Sequence, residues 1–137
     1  MRTLALDHGT KRIGVAISDE LGIIAQPLEF IPAEPLEAFF QRLLAIISDK
    51  KVEEIVVGMP FNMDGSTGPS AGRVQKFITE LQSKVSLPVH TCDERLTTYE
   101  AENLLISPGT RRKQRKQVID KMAAAVLLQS YLDAKSL

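Results

Sequence analysis

Residues 3–18 read TLALDHGTKRIGVAIS, and the fold follows from how this stretch divides. Thr3–Asp7 is an apolar run of strand length. Arg12–Ser18 is a second, with β-branched residues at Ile13, Val15 and Ile17. HGTK between them is a turn, where Gly9 is expected to supply backbone angles closed to other residues. Two strands with so short a connection form an antiparallel hairpin. The first strand then ends on a carboxylate, Asp7, beside His8 and ahead of the basic pair Lys11-Arg12.

Working outward, DELG turns the chain again and residues 23–31 (IIAQPLEFI) form a third strand. Pro27 cannot donate to a sheet ladder, which puts that strand at an edge. From about Pro35, apolar residues at Leu36, Phe39, Phe40, Leu43, Leu44 and Ile47 have helical spacing. EEIVVGMP (53–60) is a continuous apolar run suited to a buried parallel strand. A polar glycine-rich loop follows, then an amphipathic helix over 71–85 and a fifth strand in LPVHTCDE. Thr97 and Glu100 have capping-box spacing ahead of Ala101, Leu104 and Leu105. SPGTRRKQRKQ breaks the pattern, and a last helix runs from about Gln117 to Ala134. The order β-β-β-α-β-α-β-α-α makes the first three strands antiparallel neighbours. The last two join parallel to the first through right-handed crossovers. The expected class is α/β, a mixed five-stranded sheet flanked by helices, in one domain over residues 1–137.

Lys+Arg and Asp+Glu number 17 each, so bulk charge names no partner and any electrostatic footprint is local. The single cysteine, Cys92, excludes an intrachain disulfide and fits a reducing compartment. With His8 and His90 the only histidines, a Cys/His zinc site is a poor fit. Oxygen ligands would favour Mg²⁺ or Mn²⁺. Both histidines read as structural, and Cys92 as a small buried residue. No signal peptide and no apolar run of membrane-span length is visible, so a cytoplasmic protein without a membrane partner is expected.

In open α/β sheets, ligands bind beyond the carboxyl ends of the parallel strands. Those ends carry Asp7, then Gly58-Met59-Pro60 leading to Asn62, Asp64, Gly65 and Ser66, then Asp93-Glu94-Arg95. Asp19 ends an antiparallel strand and belongs ~20 Å away, at ~3.4 Å per residue. Relative to Asp120, positions +3, +4, +7 and +8 are Ala123, Ala124, Leu127 and Leu128. Asp120 therefore heads an apolar stripe, where a carboxylate needs a partner or a metal. The plainer reading is an acid in a helix's first turn. Arg111, Arg112, Lys113, Arg115 and Lys116 read either as a solvated loop or as a polyanion contact near the same edge. Thr97 and Thr98 read as caps first and phosphate contacts second. Aromatics are 5% of the chain, so stacking on bases is not the evident binding mode. Asp7, Glu94 or Asp93, and Asp120 suit one or two Mg²⁺ or Mn²⁺ ions. A pair ~4 Å apart would clamp a phosphodiester for hydrolysis.

LALDHGTKRIGVAISDELGIIAQPL, IVVGMPFNMDGSTGPSA, DERLTTYEAE and IDKMAAAVLLQSYL resemble the YqgF/RuvX family, in order and over nearly the whole chain. The resemblance implies an RNase H-like fold, similar to the RuvC resolvase. It also implies nuclease activity, on Holliday junctions or in maturing the 5′ end of 16S rRNA. Asp7 and Asp120 then fill the first and last acidic positions. RuvC-type enzymes place the middle acid after the fourth strand, where this chain has Gly58-Met59-Pro60. Glu94 is the expected substitute and Asp93 the alternative. Substrate contacts would come from Gly9, Lys11, Arg12, Asn62, Gly65, Ser66, Arg95, Thr97, Thr98 and the basic run. Partners would be precursor 16S rRNA, branched DNA or ribosomal particles, with the protein a monomer or homodimer. DHGTKR is also similar to the phosphate loop of actin-like ATPases and sugar kinases, and a non-catalytic nucleic-acid-binding assembly factor is a third class.

Overall fold

A computed structural model describes residues 1–60, 68–93 and 112–136, with the side chains of 112–121 outside that description. Three strands come first: β1 (Thr3–His8), β2 (Arg12–Ser18) and β3 (Ala25–Pro32). Then follow α1 (Leu36–Lys50), β4 (Glu54–Met59), α2 (Pro69–Lys84), β5 (Val89–Asp93) and α3 (Arg112–Lys135). The sheet order is β3-β2-β1-β4-β5. β1–β2 and β2–β3 pair antiparallel, whereas β1–β4 and β4–β5 pair parallel. This is the mixed sheet expected from the element order, with Pro27 in an edge strand. At that edge Val15 and Ala16 oppose Glu29 and Pro27, so Leu28 is the extra residue of a bulge.

Strand alternation divides the core in two. Leu4 and Leu6 of β1, Ile13 and Val15 of β2, and Ile55 and Val57 of β4 face large side chains of α1 and α2. Phe39, Leu43, Phe77 and Leu81 are among these. Ala5, Ala16 and Val56 point the other way, against Ala124, Ala125, Leu127 and Leu128 of α3. Alanines supply half of the buried residues of this second interface, which lets α3 approach the sheet. In α1 the stripe is Phe39, Phe40, Leu43 and Ile46. Leu44, expected inside, is exposed, because it sits one residue off the 3.6-residue stripe.

Two further expectations change. Gly9 has no positive φ, whereas Gly22 does (+70°). Space explains Gly9 instead: a Cβ there would lie 2.5 Å from the Arg12 carbonyl oxygen. That oxygen also accepts the Gly9 N–H at 3.1 Å, closing the hairpin. And α3 is already helical at Arg112, five residues before Gln117. Arg112, Lys113, Arg115 and Lys116 are therefore in its opening turns rather than in a loop; arginine, lysine and glutamine are strong helix formers. The helix expected after Thr97 lies outside the described residues.

The end of α3 is fastened at the amino ends of β1 and β4. Glu54, almost wholly buried, accepts from Lys135 Nζ at 2.7 Å, Thr3 Oγ1 at 2.8 Å and the Tyr131 hydroxyl at 3.3 Å. His90, exposed on β5, stacks near Tyr131 and sets its Nε2 3.5 Å from Glu54. Gln129 takes the Ala25 N–H on Oε1 and donates Nε2 to the Ile23 carbonyl, both at 2.9 Å. Asp19 accepts from the N–H groups of Ile23 and Ile24 at this same end, as a turn residue remote from Asp7.

Candidate active site

Asp7 continues the small-residue face one step beyond Ala5 and pairs in register with Gly14. A Cβ placed on Gly14 would meet Phe30 Cε1 at 3.4 Å, Ala124 Cβ at 3.6 Å and Asp7 Cβ at 3.7 Å. Glycine at 14 thus lets Asp7, α3 and Phe30 converge on one point at the carboxyl end of β1. Asp7 is half-buried and opens into a cleft of about 380 Å³ that Gly9, Thr10, Lys11, Arg12, Gly14 and Phe30 complete. The hairpin turn brings Lys11 and Arg12, both exposed, to the rim of the cleft that Asp7 lines.

α3 carries position 120 to the same place. Ala124 lies over Gly14, and Asp120 is four residues earlier in the same helix, about 6 Å along its axis toward the carboxyl edge. Because the chain is helical from Arg112 on, at least eight helical residues precede Asp120. A first-turn acid stabilised by the helix dipole is thereby ruled out as the reason for its position.

β5 fixes the sheet face of Asp93 by parity. Cys92, half-buried rather than fully buried, packs on the α3 face with Ala5. Asp93, next along, pairs in register with Met59, which belongs to the α1/α2 face. Asp93 therefore sits on the side of the sheet opposite Asp7. Glu94, Arg95, Thr97, Thr98 and Arg111 lie outside the described residues, as do Asn62, Gly65 and Ser66.

His8 also faces away from the cleft. Its ring lies 4.7 Å from that of Phe77. Burial lowers its pKa, with Arg73 adding to the effect and Asp7 opposing it, so it favours the neutral ring. Phe30 is the residue that sequence reading missed. The Arg12 guanidinium lies 4.2 Å from its ring centroid, over the cleft. The available signal was an aromatic on an edge strand that antiparallel pairing brings near Arg12.

The donor chemistry fits a hard cation. Asp7 supplies carboxylate oxygens at a strand end where glycine and alanine leave room. Among the described residues no three His, Cys, Asp or Glu side chains gather; the other expected ligands, Glu94 and the Asp120 side chain, lie outside them.

A family model described as RuvX, Holliday junction resolvase, matches residues 1–134. A protein of Geobacillus kaustophilus named "Putative pre-16S rRNA nuclease" is 53% identical over 137 residues, covering 98% of this chain and 99% of the relative. A Halalkalibacterium halodurans protein of the same name is 49% identical over 100% and 99% of the two chains. Among solved structures, Thermus thermophilus RuvC in complex with a Holliday junction superposes with a TM-score of 0.58 at 16% identity, over 99% and 96% of the chains. The fowlpox virus Holliday junction resolvase gives 0.57 at 14%, over 98% and 99%. At such low identity these two similarities bear on the fold alone, and it is that of RuvC-like, RNase H-like resolvases.

Proposed function

The chain belongs to the RuvX Holliday junction resolvase family, and on that premise we propose that it is a divalent-metal-dependent endonuclease that cuts the 5′ leader of precursor 16S rRNA. The observation that carries this is the meeting of Asp7 with α3 over Gly14, one helical turn from position 120. The name shared by its half-identical relatives supports the choice of RNA. The whole chain acts as a single nuclease domain, and ribosome assembly sets its location in the cytoplasm.

Asp7, Asp120 and Glu94 are the residues to hold Mg²⁺ or Mn²⁺. Glu94 is preferred over Asp93 because Asp93 occupies the wrong sheet face. A bound ion would supply Lewis-acid charge at the phosphate and a water activated for attack. Lys11 and Arg12 hold the non-bridging phosphate oxygens at the rim, and the cations that open α3 hold the flanking backbone. The water oxygen bonds to phosphorus, one ester P–O bond breaks, and a phosphomonoester and a free hydroxyl leave. His8 faces the opposite core and takes no part in proton transfer.

The test is cleavage of precursor 16S leader RNA, of pre-ribosomal particles and of a four-way DNA junction, each with Mg²⁺ or Mn²⁺. Wild type should cut the RNA or the particle. Asp7→Asn should bind it with similar affinity and not cut. Cutting of the junction alone would move the substrate to branched DNA. Cutting of none, or undiminished cutting by Asp7→Asn, would overturn the nuclease reading.

A further inference from the structure

Beside the Asp7 cleft lies a second cavity, of about 290 Å³, that phosphate chemistry does not explain. Its walls include Pro27, Leu28, Phe30, Val15 and Ala124, so it is mostly apolar. Gly14 and Phe30 line both cavities. We propose that this pocket is a nucleobase subsite, in which an unpaired base next to the scissile phosphate stacks on Phe30. The proposal rests on the nuclease reading and names the substrate class that site selects.

Four features support a base as the occupant. First, polar cleft and apolar pocket adjoin across Gly14 and Phe30, matching a nucleotide's charged phosphate and flat, weakly polar base. Second, Phe30 offers a ring on which a base stacks, and the Arg12 guanidinium 4.2 Å from that ring ties it to the phosphate side of the site. Third, the missing side chain at Gly14 keeps the passage open, since a Cβ would sit 3.4 Å from Phe30 and 3.6 Å from Ala124. Fourth, the one carboxylate in the wall, Glu29, is engaged by Arg42. Nε and a terminal nitrogen donate to its two oxygens at 3.0 and 2.6 Å, so the wall does not repel a phosphodiester.

The volume is near the lower limit of small-molecule pockets, about 300 Å³, enough for one base and too little for a base pair. A stacking pocket reads a π-face rather than a base sequence. The enzyme would therefore favour a cut beside an unpaired nucleotide, as in a single-stranded leader or at a branch point, over one inside a continuous duplex.

An abasic cycle tests this. The cut in precursor leader RNA is mapped, and each flanking nucleotide is replaced in turn by an abasic one. With wild type, one replacement should slow cleavage about tenfold, the scale of a single stacked base. Phe30→Leu, which keeps an apolar side chain, should lose about as much on intact RNA and little more on abasic RNA. Gly14→Ala should fold, since its new methyl meets neighbours at ordinary contact distance, and should weaken discrimination between intact and abasic RNA. Equal Phe30→Leu losses on intact and abasic RNA would overturn the subsite, because a merely structural role acts on both.

A second arm needs no cleavage. Binding of a short oligouridylate and of its fully abasic analogue is measured with Asp7→Asn and with Asp7→Asn/Phe30→Leu. Stacking predicts that only the base-bearing strand loses affinity on losing Phe30. Identical affinities throughout would overturn the subsite, as would a pocket already filled by another part of the chain. Failure of the nuclease reading would appear separately, as absent cleavage with base-dependent binding intact.

Discussion

Replacing Lys135 with methionine should loosen the far end of α3 without touching the cleft. Lys135 Nζ donates to Glu54 at 2.7 Å, and Glu54 is only 3% exposed. Methionine keeps an unbranched apolar side chain of similar length and removes the charge, which lies 5.7 Å from the Tyr131 ring centroid. A hydrogen bond to a charged group contributes about 1.5–3 kcal/mol. The lysine side chain is 46% exposed, so screening reduces this to about 1–2 kcal/mol. For a chain of 137 residues that is a fall in Tm of about 4–8 °C. Burial pushes the Glu54 pKa up, but Lys135, Thr3 and Tyr131 outweigh it and the net direction is down. The bond to Glu54 raises the Lys135 pKa against a smaller burial effect. The Glu54 contribution is thus full above its unfolded value of 4.5 and is lost as pH falls through the folded one. The Lys135 contribution is full below 10.5 and is lost as pH rises through its folded value. The assay is thermal melting by circular dichroism at pH 7 and pH 4, with Glu54→Gln as a second background. The gap between Lys135→Met and wild type should be largest at pH 7 and shrink at pH 4. With Gln at 54, Lys135→Met should cost less than about 0.5 kcal/mol. An unchanged Tm at pH 7, or equal losses in both backgrounds, would refute the reasoning.

Gly9→Ala should cost about 1–3 kcal/mol, because its Cβ would sit 2.5 Å from backbone and the hairpin must open. Denaturant melts should show it, with a parallel drop in RNA affinity as Lys11 and Arg12 shift. His8 contributes in the opposite pH sense to Lys135. Its folded pKa lies below 6.5, so its contribution is full above 6.5 and is lost as pH falls through the lowered value. The acid-side decline in Tm below pH 6.5 should therefore be smaller in His8→Asn than in wild type. An identical decline in both would show that His8 does not titrate in this range.

The sheet was legible because alternating and continuous apolar runs distinguish hairpin strands from buried parallel ones. Asp7 was legible because a strand tip does not need a carboxylate for packing. Gly9 was legible as a turn residue but not for its reason, since crowding by Arg12 across the hairpin is a nonlocal fact. The start of α3 was misplaced because RRKQRKQ has no apolar period; only its intrinsic helix propensity marks it. Phe30 stayed hidden behind the bulge at Leu28, which breaks the alternation that would have assigned its face. The sheet face of Asp93 needed β5 in register with β4, which adjacent letters cannot supply.

The unequal faces of the sheet divide the chain's tolerance for change. On the α1/α2 side, bulky aliphatic and aromatic groups can exchange volume with one another, and that layer can drift through many compositions. On the α3 side the spacers are methyl groups at Ala5, Ala16, Ala124 and Ala125. An alanine there has no volume of its own to give back, so an added carbon must be absorbed by Val56, Leu127, Leu128 or Leu132 or by a shift of the helix. Such a shift would lift the helix, and with it position 120 away from Asp7. Selection on the chemistry would thus be recorded as an intolerance of size at Ala5, Ala16 and Ala125, which line neither the cleft nor the pocket.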